Sequence, residues 1–309
     1  MGPTHLDAKP SRRDRLAYHG ARAAAEILSR LPARTAARIA RVLGAGVYLV
    51  QGRHLERIAR HHEILFGAPI AGRELRRFAR AFYEHLALLV VEIVRMRCLD
   101  AANVNRIVNL SELEALRPLL AEGRGILATS GHAGNWEYSG HVASLAGFPV
   151  HAIARPLANP LLDGLFQRLR ESGGQKVFAK WNVLWSLKKL LDRGAVVGIN
   201  ADQDTTVNQV FVPFGTRMAA TSATIGQLSR ATGAPVAVVT VNRQPGDIRY
   251  RFHVWTVIRR EKTADAEADA RTVMAEVNEA LVRAIRTYPE QWLWTHRRWK
   301  TRPPGETSP

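Results

Sequence analysis

A histidine and a glutamate stand five residues apart in the glycine-bracketed stretch Thr129-Ser130-Gly131-His132-Ala133-Gly134-Asn135-Trp136-Glu137, directly after the apolar run Gly125-Ile126-Leu127-Ala128. On an unbroken helix, side chains at that spacing point well apart and do not easily pair. Gly131 and Gly134 permit the backbone angles of a tight turn, and Asn135 is a good N-cap for a helix starting at Trp136. The stretch therefore reads as strand, glycine turn and helix, with His132 on the loop and Glu137 in the first helical turn. From there the Glu137 carboxylate can reach back to one imidazole nitrogen, fix its tautomer and leave the other nitrogen free to take a proton. That is a general base with an orienting acid. The chain has no Gly-x-Ser-x-Gly nucleophile elbow, which favours a proton taken from a substrate hydroxyl over one taken from an enzyme serine. The competing reading is a surface histidine in a turn, followed by a first-turn acid that the helix dipole favours.

Three other constellations carry chemistry. Arg155-Pro156-Leu157-Ala158-Asn159-Pro160 follows a strand-like run, with Asn159 as cap of a helix to about Ser172. Arg155 then lies at a strand's carboxyl end, where open α/β sheets bind ligands, and is a candidate for gripping phosphate or carboxylate. Arg168 and Arg170 on that helix are further candidates, with solvated helix arginines as the plainer alternative. The strand ending at Asn200 leads into Ala201-Asp202-Gln203-Asp204, whose aspartates suit base orientation, metal binding or plain turns. No flanking ligand set argues for a metal there. Val210-Phe211-Val212-Pro213-Phe214-Gly215 and Thr221 read as a strand, a loop and a helix cap, with Arg217 near enough in sequence to reach the same pocket. Last, residues 289–302 concentrate Trp292, Trp294 and Trp299 with Arg297, Arg298, Lys300 and Arg302. Such a segment suits a bilayer interface, a nucleic-acid stacking platform or indoles packed on the core.

The elements that must position these residues divide the chain in two. Residues 1–100 read as helical and arginine-rich. The first 14 residues are polar, Leu16–Leu31 is a helix ended by Pro32, and Ala33–Val50 is a basic amphipathic helix. Its Ile39, Val42, Leu43, Val47 and Val50 share one face, opposite Arg34, Arg38 and Arg41; such a helix either covers a core or lies in an anionic headgroup layer. Arg53, Arg57 and Arg60 extend the basic character along a third segment. Glu74–Met96 has the spacing of a buried helix.

Residues 101–309 alternate short β-branched runs with amphipathic helices, the form of an α/β domain with a central mixed, largely parallel sheet flanked by helices. Candidate strands are Val104–Val108, Gly125–Thr129, Val150–Ala154, Val177–Ala179, Ala195–Asn200, Val210–Val212, Val236–Asn242 and Tyr250–Val257. No repeat or linker separates an independent domain, so the helical first third is expected to pack on the α/β part.

Composition narrows the partners. The 309 residues are 46% hydrophobic, enough for a full core, and 44 Lys plus Arg against 27 Asp plus Glu give a formal charge of +17. A charge of that size points to polyanions: nucleic acid, an anionic bilayer surface or an acidic carrier protein. The single Cys98 forms no internal disulfide, and no Cys/His cluster has zinc spacing. The most apolar run, Leu86–Val94, is interrupted by Glu92 and is about half the roughly 20 residues of a spanning helix, and no secretory signal pattern opens the chain. A soluble or peripheral protein is expected.

Gly131-His132-Ala133-Gly134-Asn135-Trp136-Glu137 resembles the His-x4-Asp/Glu motif of the glycerolipid acyltransferase superfamily. In its Gly-His-x-Gly-Asn-Trp-Glu form it is similar to the late acyltransferases of lipid A biosynthesis, the lauroyl and myristoyl transferases. Arg155-Pro156 with Asn159-Pro160, Ala201-Asp202-Gln203-Asp204, Val210–Phe214, Ala219-Ala220-Thr221, Gln291–Trp294 and His296–Lys300 resemble that family in the right order. Two features depart from it. Phe214-Gly215-Thr216-Arg217-Met218 stands where the family usually has Phe-Phe-Gly-Arg-Pro, and Leu16–Val50 is broken by arginines and Pro32 where many members carry a hydrophobic anchor.

The resemblance implies acyl transfer from an acyl carrier protein thioester, or from coenzyme A, to a hydroxyl of a phosphorylated, Kdo-bearing lipid A precursor, without a cofactor or metal. His132 would be the base, Glu137 its orienting acid, and Arg155, Asn159, Arg168, Arg170, Asp202 and Arg217 substrate-binding residues. Backbone amides of the Gly131, Gly134 and Asn135 turn would stabilise the oxyanion. It also implies an apolar groove for the acyl chain and a peripheral or monotopic place on the cytoplasmic face of the inner membrane. Relatives with a similar core acylate other glycolipids, such as mannosylated phosphoinositides. The rivals are a nucleic-acid-binding protein, not the expectation here, and a serine hydrolase using Ser130.

Overall fold

The computed structural model describes residues 10–51, 54–179, 184–245 and 249–306. Arg53 and the first nine residues of the polar N-terminal stretch lie outside them.

Four helices open the chain: α1 (Arg12–Arg30), α2 (Ala33–Val50), α3 (Leu55–Phe66) and α4 (Gly72–Arg95). α1 begins four residues before the expected Leu16 because Ser11 and Asp14 form a reciprocal capping box, which satisfies two otherwise orphaned amides. α2 has the expected bounds and meets α4 through Ala36, Ala37, Ala40 and Gly44. At Gly44 a β-carbon would stand 2.6 Å from the Glu84 α-carbon, so the two backbones approach as only small residues allow. The larger apolar residues of α2 consequently face outward. Val42, Leu43, Leu49 and Val50 are 72%, 59%, 79% and 78% exposed.

The rest is an α/β sandwich. Strands β1 (Val108–Asn109), β2 (Ile126–Thr129), β3 (Val150–Ala154), β4 (Lys176–Ala179), β5 (Val196–Gly198), β8 (Val236–Arg243) and β9 (Tyr250–Ile258) form one sheet in the order β1-β9-β8-β2-β5-β3-β4. All its pairings are parallel except β8 with β9. The helices α5 (Trp136–Leu145), α6 (Pro160–Glu171), α7 (Leu184–Asp192), α8 (Thr224–Thr232) and α9 (Ala266–Thr287) complete it. The alternation of the strands splits the core: Leu127, Val197, Val236 and Val238 face α9 and the C-terminal tryptophans, whereas Ile126, Val196, Ala237 and Val239 face α5.

Two expectations fail for local reasons. Val104–Ile107 is one helical turn, and the strand is only Val108–Asn109. Asp100 Oδ1 accepts the amides of Ala102 and Asn103, both at 2.9 Å, and starts the chain turning before its β-branched residues can extend. The stretch expected as a loop and helix cap is instead a strand, β7 (Arg217–Ser222), which pairs antiparallel with β6 (Gln209–Phe214) in a separate hairpin. Gly215, with φ of 71°, turns it. Ala219 and Ala220 are fully buried in β7 but too small to signal a strand in sequence.

Candidate active site

Because β2, β3, β5 and β8 run parallel, their carboxyl ends share one edge of the sheet, and the loops leaving them carry the candidate residues. After β2 the chain turns at Gly131 and Gly134, with φ of 53° and 64°. Each glycine is required twice over. A β-carbon on Gly131 would stand 3.0 Å from the Asp202 carboxylate, and one on Gly134 2.5 Å from the Val241 carbonyl oxygen. Asn135 caps α5 by accepting the Tyr138 amide at 2.9 Å, as the sequence implies.

The carboxylate beside His132 is that of Asp202, not Glu137. His132 Nδ1 donates to Asp202 Oδ1 at 2.7 Å, and the His132 amide donates to Asp202 Oδ2 at 2.7 Å. Trp292 Nε1 donates to the same Oδ2 at 3.0 Å. A carboxylate that only accepts fixes the imidazole as the Nδ1–H tautomer, which leaves Nε2 as the acceptor. The Gln203 amide stands 3.5 Å from that nitrogen, at the solvent side. Burial works against charging His132, but the charge and hydrogen bond of Asp202, helped by the charge of Glu137, outweigh it and raise the imidazole pKa above its ordinary value. Asp202 is the mirror case. Burial would raise its carboxyl, yet the charge and hydrogen bonds of His132, with that of Trp292, hold it well below the usual carboxylate range.

Glu137 is turned to α6. Arg170 grips it through Nε to Oε2 at 2.7 Å and a terminal nitrogen to Oε1 at 2.6 Å. A first-turn residue of α5 points toward the neighbouring helix, and a guanidinium fork outcompetes a single imidazole nitrogen for both carboxylate oxygens. Glu137 therefore acts on His132 through its charge, and Arg170 is an ion-pair partner rather than a free ligand.

A second network holds the turn from below. Asn135 Nδ2 donates to Glu92 Oε2 at 2.8 Å, and the other oxygen of that buried α4 carboxylate pairs with Arg243. Gln291 and the Arg243 backbone exchange two bonds, at 3.0 and 2.9 Å. The Gly134 amide donates to the Gln291 carbonyl at 2.6 Å, and the Asn135 amide to the Val241 carbonyl at 2.7 Å. Of the amides expected to stabilise the oxyanion, those of Gly134 and Asn135 are thus engaged by backbone carbonyls.

Directly beside the base a cavity opens between α5 and the sheet. Ser130, Trp136, Glu137, Arg170 and Asn200 line its mouth at the strand carboxyl ends, and Ile126, Val150, Val196, Phe148 and Leu113 line its depths. The Trp136 ring lies 5.1 Å from the His132 ring, edge to face, and joins base and cavity.

The sequence of this chain matches the family described as bacterial lipid A biosynthesis acyltransferase over residues 16–301. The chain belongs to that family. It is 28% identical over 255 residues to lipid A biosynthesis palmitoleoyltransferase of Escherichia coli (strain K12), covering 82% of this chain and 81% of that protein. It is 28% identical over 273 residues to lipid A biosynthesis lauroyltransferase of the same organism, covering 86% and 87%. As a member of the lipid A acyltransferase family, it is an O-acyltransferase.

The other residues named from the sequence of this acyltransferase fall in different places. Arg155 is exposed just past β3, and Arg168 is exposed on α6. The amide of Asn159 is occupied as a cap: its oxygen accepts Leu161 and Leu162 amides at 3.0 and 3.2 Å, and its nitrogen donates to the Asp14 carbonyl at 3.1 Å, tying α6 to α1. Arg217 opens β7 at a hairpin turn held on α3, where the Thr216 amide donates to the Ile64 carbonyl at 2.9 Å. Asp204 fastens the C-terminal segment, accepting the Thr301 amide and hydroxyl, both at 2.9 Å. Ser130 donates to the Gly131 carbonyl at 3.0 Å and Asn200 Oδ1 at 3.1 Å, so it is not paired with the base. Trp292, Trp294 and Trp299 are buried and Arg298 fully so, which removes the stacking platform a nucleic-acid reading needs.

Sequence reasoning missed Trp292 as a partner of Asp202, the Glu92–Arg243 pair and His296. Burial holds His296 below its usual pKa, and its charge is coupled to those of Asp202 and His132. Spacing gives no hint of these, since each comes from an element far away in the chain.

Proposed function

We propose that this chain transfers a fatty acyl group from an acyl carrier protein thioester to a hydroxyl of a phosphorylated lipid A precursor, at the surface of the inner membrane. The reading is carried by one observation: an imidazole locked by a buried carboxylate, its second nitrogen turned to the Gln203 side, packs on Trp136, a wall residue of an apolar cavity. His132 Nε2 takes the proton of the acceptor hydroxyl as that oxygen attacks the thioester carbonyl, and Asp202 stabilises the imidazolium that forms. The carbon–sulfur bond then breaks, and the thiolate leaves and regains a proton from the imidazolium. The acyl chain lies between α5 and the sheet, from Ser130 down to Ile126, a depth of about 13 Å at 3.3 Å per strand residue. Arg155, exposed just past β3, and Arg168, exposed on α6, bind acceptor phosphate or sugar carboxylate.

Support for a membrane surface comes from α1 and α2. Leu16, Ile27, Val42, Leu43, Leu49 and Val50 are exposed beside Arg34, Arg38 and Arg41, an apolar patch within a basic helix pair. Among the described residues no helix is long and apolar enough to cross a membrane. The same positive charge suits an acidic carrier protein.

The test is transfer of labelled acyl chains from acyl carrier protein to a purified lipid A precursor. Wild-type protein should give an acylated product, and folded His132→Ala protein should give none. Turnover retained by that variant would remove His132 as the base.

A further inference from the structure

Past the carboxyl end of β5 the chain is held at three successive residues. Asp202 accepts from the His132 ring, the His132 amide and Trp292 Nε1. Asp204 accepts the amide and the hydroxyl of Thr301. Between them the Gln203 carbonyl accepts from Arg298, a fully buried guanidinium, at 3.4 Å. The Gln203 side chain, by contrast, is exposed. A backbone pinned on both sides presents that side chain from a fixed base, which is what holding a group against reacting atoms requires.

The side chain ends at the base. Its amide nitrogen stands 3.5 Å from His132 Nε2. An amide carries two N–H groups and an imidazole nitrogen accepts one, so the second N–H is left for another acceptor. The attacking hydroxyl must come to about 2.8 Å from Nε2 for its proton to be taken. The carbonyl under attack becomes joined to that hydroxyl oxygen, and with the two nitrogens only 3.5 Å apart its own oxygen comes within hydrogen-bond reach of the Gln203 amide. The site needs such a donor, because the Gly134 and Asn135 amides are bonded to the Gln291 and Val241 carbonyls.

We propose that the side-chain amide of Gln203 is an oxyanion donor, bonding the thioester oxygen as it becomes negative. The inference rests on the acyl-transfer reading. The acceptor oxygen forms a bond to the carbonyl carbon, its proton passes to His132 Nε2, and the carbonyl electron pair moves onto the oxygen that Gln203 bonds. When that pair returns, the carbon–sulfur bond breaks, and the thiolate leaves and takes the proton from the imidazolium. Gln203 neither gains nor loses a proton. It favours the intermediate because its N–H dipole already faces the place where charge develops.

The experiment follows transfer from dodecanoyl acyl carrier protein to a lipid A precursor by purified full-length wild type, Gln203→Ala and Gln203→Met. Methionine nearly keeps the length of glutamine but has no N–H to donate. Both variants should melt at the wild-type temperature, lose kcat about a hundredfold, the usual cost of one missing oxyanion donor, and leave KM for either substrate nearly unchanged. The pH at which the single-turnover rate rises should move by less than about one unit, because the imidazole keeps Asp202. A fall in kcat of less than about tenfold in either variant, or a loss confined to KM, overturns the Gln203 assignment alone. So does a pH limb displaced by about one unit or more, which would put the effect of the amide on the base itself. No transfer by the wild-type protein overturns the acyl-transfer reading and the assignment with it.

Discussion

At the scale of single residues, the site is a base whose strength is set by two carboxylates in different roles. Asp202 touches the imidazole and fixes its tautomer; Glu137 is held off by Arg170 and acts by charge alone. Glu137→Gln should therefore keep the His132–Asp202 bond, lower kcat only about tenfold and leave Arg170 without its partner, as a steady-state assay of the purified variant would show. Gly131→Ala should do more harm than its size suggests, because its methyl would press on the Asp202 carboxylate in a backbone conformation L residues avoid. A melting-temperature and activity comparison should show both falling. The base, its glycine turn and the Asn135 cap were legible in nine consecutive residues. Its partner was not, since nothing in the spacing of His132 and Asp202 shows that β2 and β5 are neighbours in the sheet. Local proximity favoured Glu137, and the guanidinium of Arg170, also remote in sequence, is what removed it.

At the scale of elements, the catalytic turn is clamped between α4, β8 and the C-terminal segment. The buried Glu92–Arg243 pair is central to that clamp, and Glu92→Gln should cost about 3 kcal/mol by leaving a buried guanidinium unpaired, measurable by urea unfolding. α5 forms one wall of the cavity, with Ala143 turned into it. Ala143→Leu should shorten the acyl chain accepted, and mass analysis of products made from a mixed-length donor pool would reveal it. Strong elements such as α2, β3 and β8 follow from periodicity and β-branching. β7 did not, because alanines carry no strand signal, and the Val104–Ile107 turn did not, because Asp100 overrode β-branched residues by local hydrogen bonding. The tryptophan-rich tail reads as a surface in sequence but is interior, since each indole nitrogen bonds inward, to Asp202, Pro289 and Phe214.

For the whole molecule, charge and exposed apolar surface converge on α1 and α2. Periodicity shows which residues of α2 share a face, but not that Ala36, Ala40 and Gly44 would turn inward and leave the larger residues outside. Val42→Asp together with Leu43→Asp should weaken binding to anionic vesicles tenfold or more, about the effect of losing one buried apolar side chain. A vesicle sedimentation assay in low and high salt would separate this apolar contribution from that of the arginines, because salt screens only the latter. The account as a whole stands on Asp202 acting as the partner of a general base. The most direct measurement is the pH dependence of single-turnover acyl transfer in wild type, Asp202→Asn and Glu137→Gln. A base must be neutral to work, so the wild-type rate should rise with pH through a value above that of an unperturbed histidine, in keeping with the raised pKa of His132. Without the Asp202 charge, burial dominates: the Asp202→Asn limb should move to lower pH and its plateau fall about a thousandfold as the tautomer is lost. A limb that stays in place in Asp202→Asn while Glu137→Gln displaces it would contradict the account.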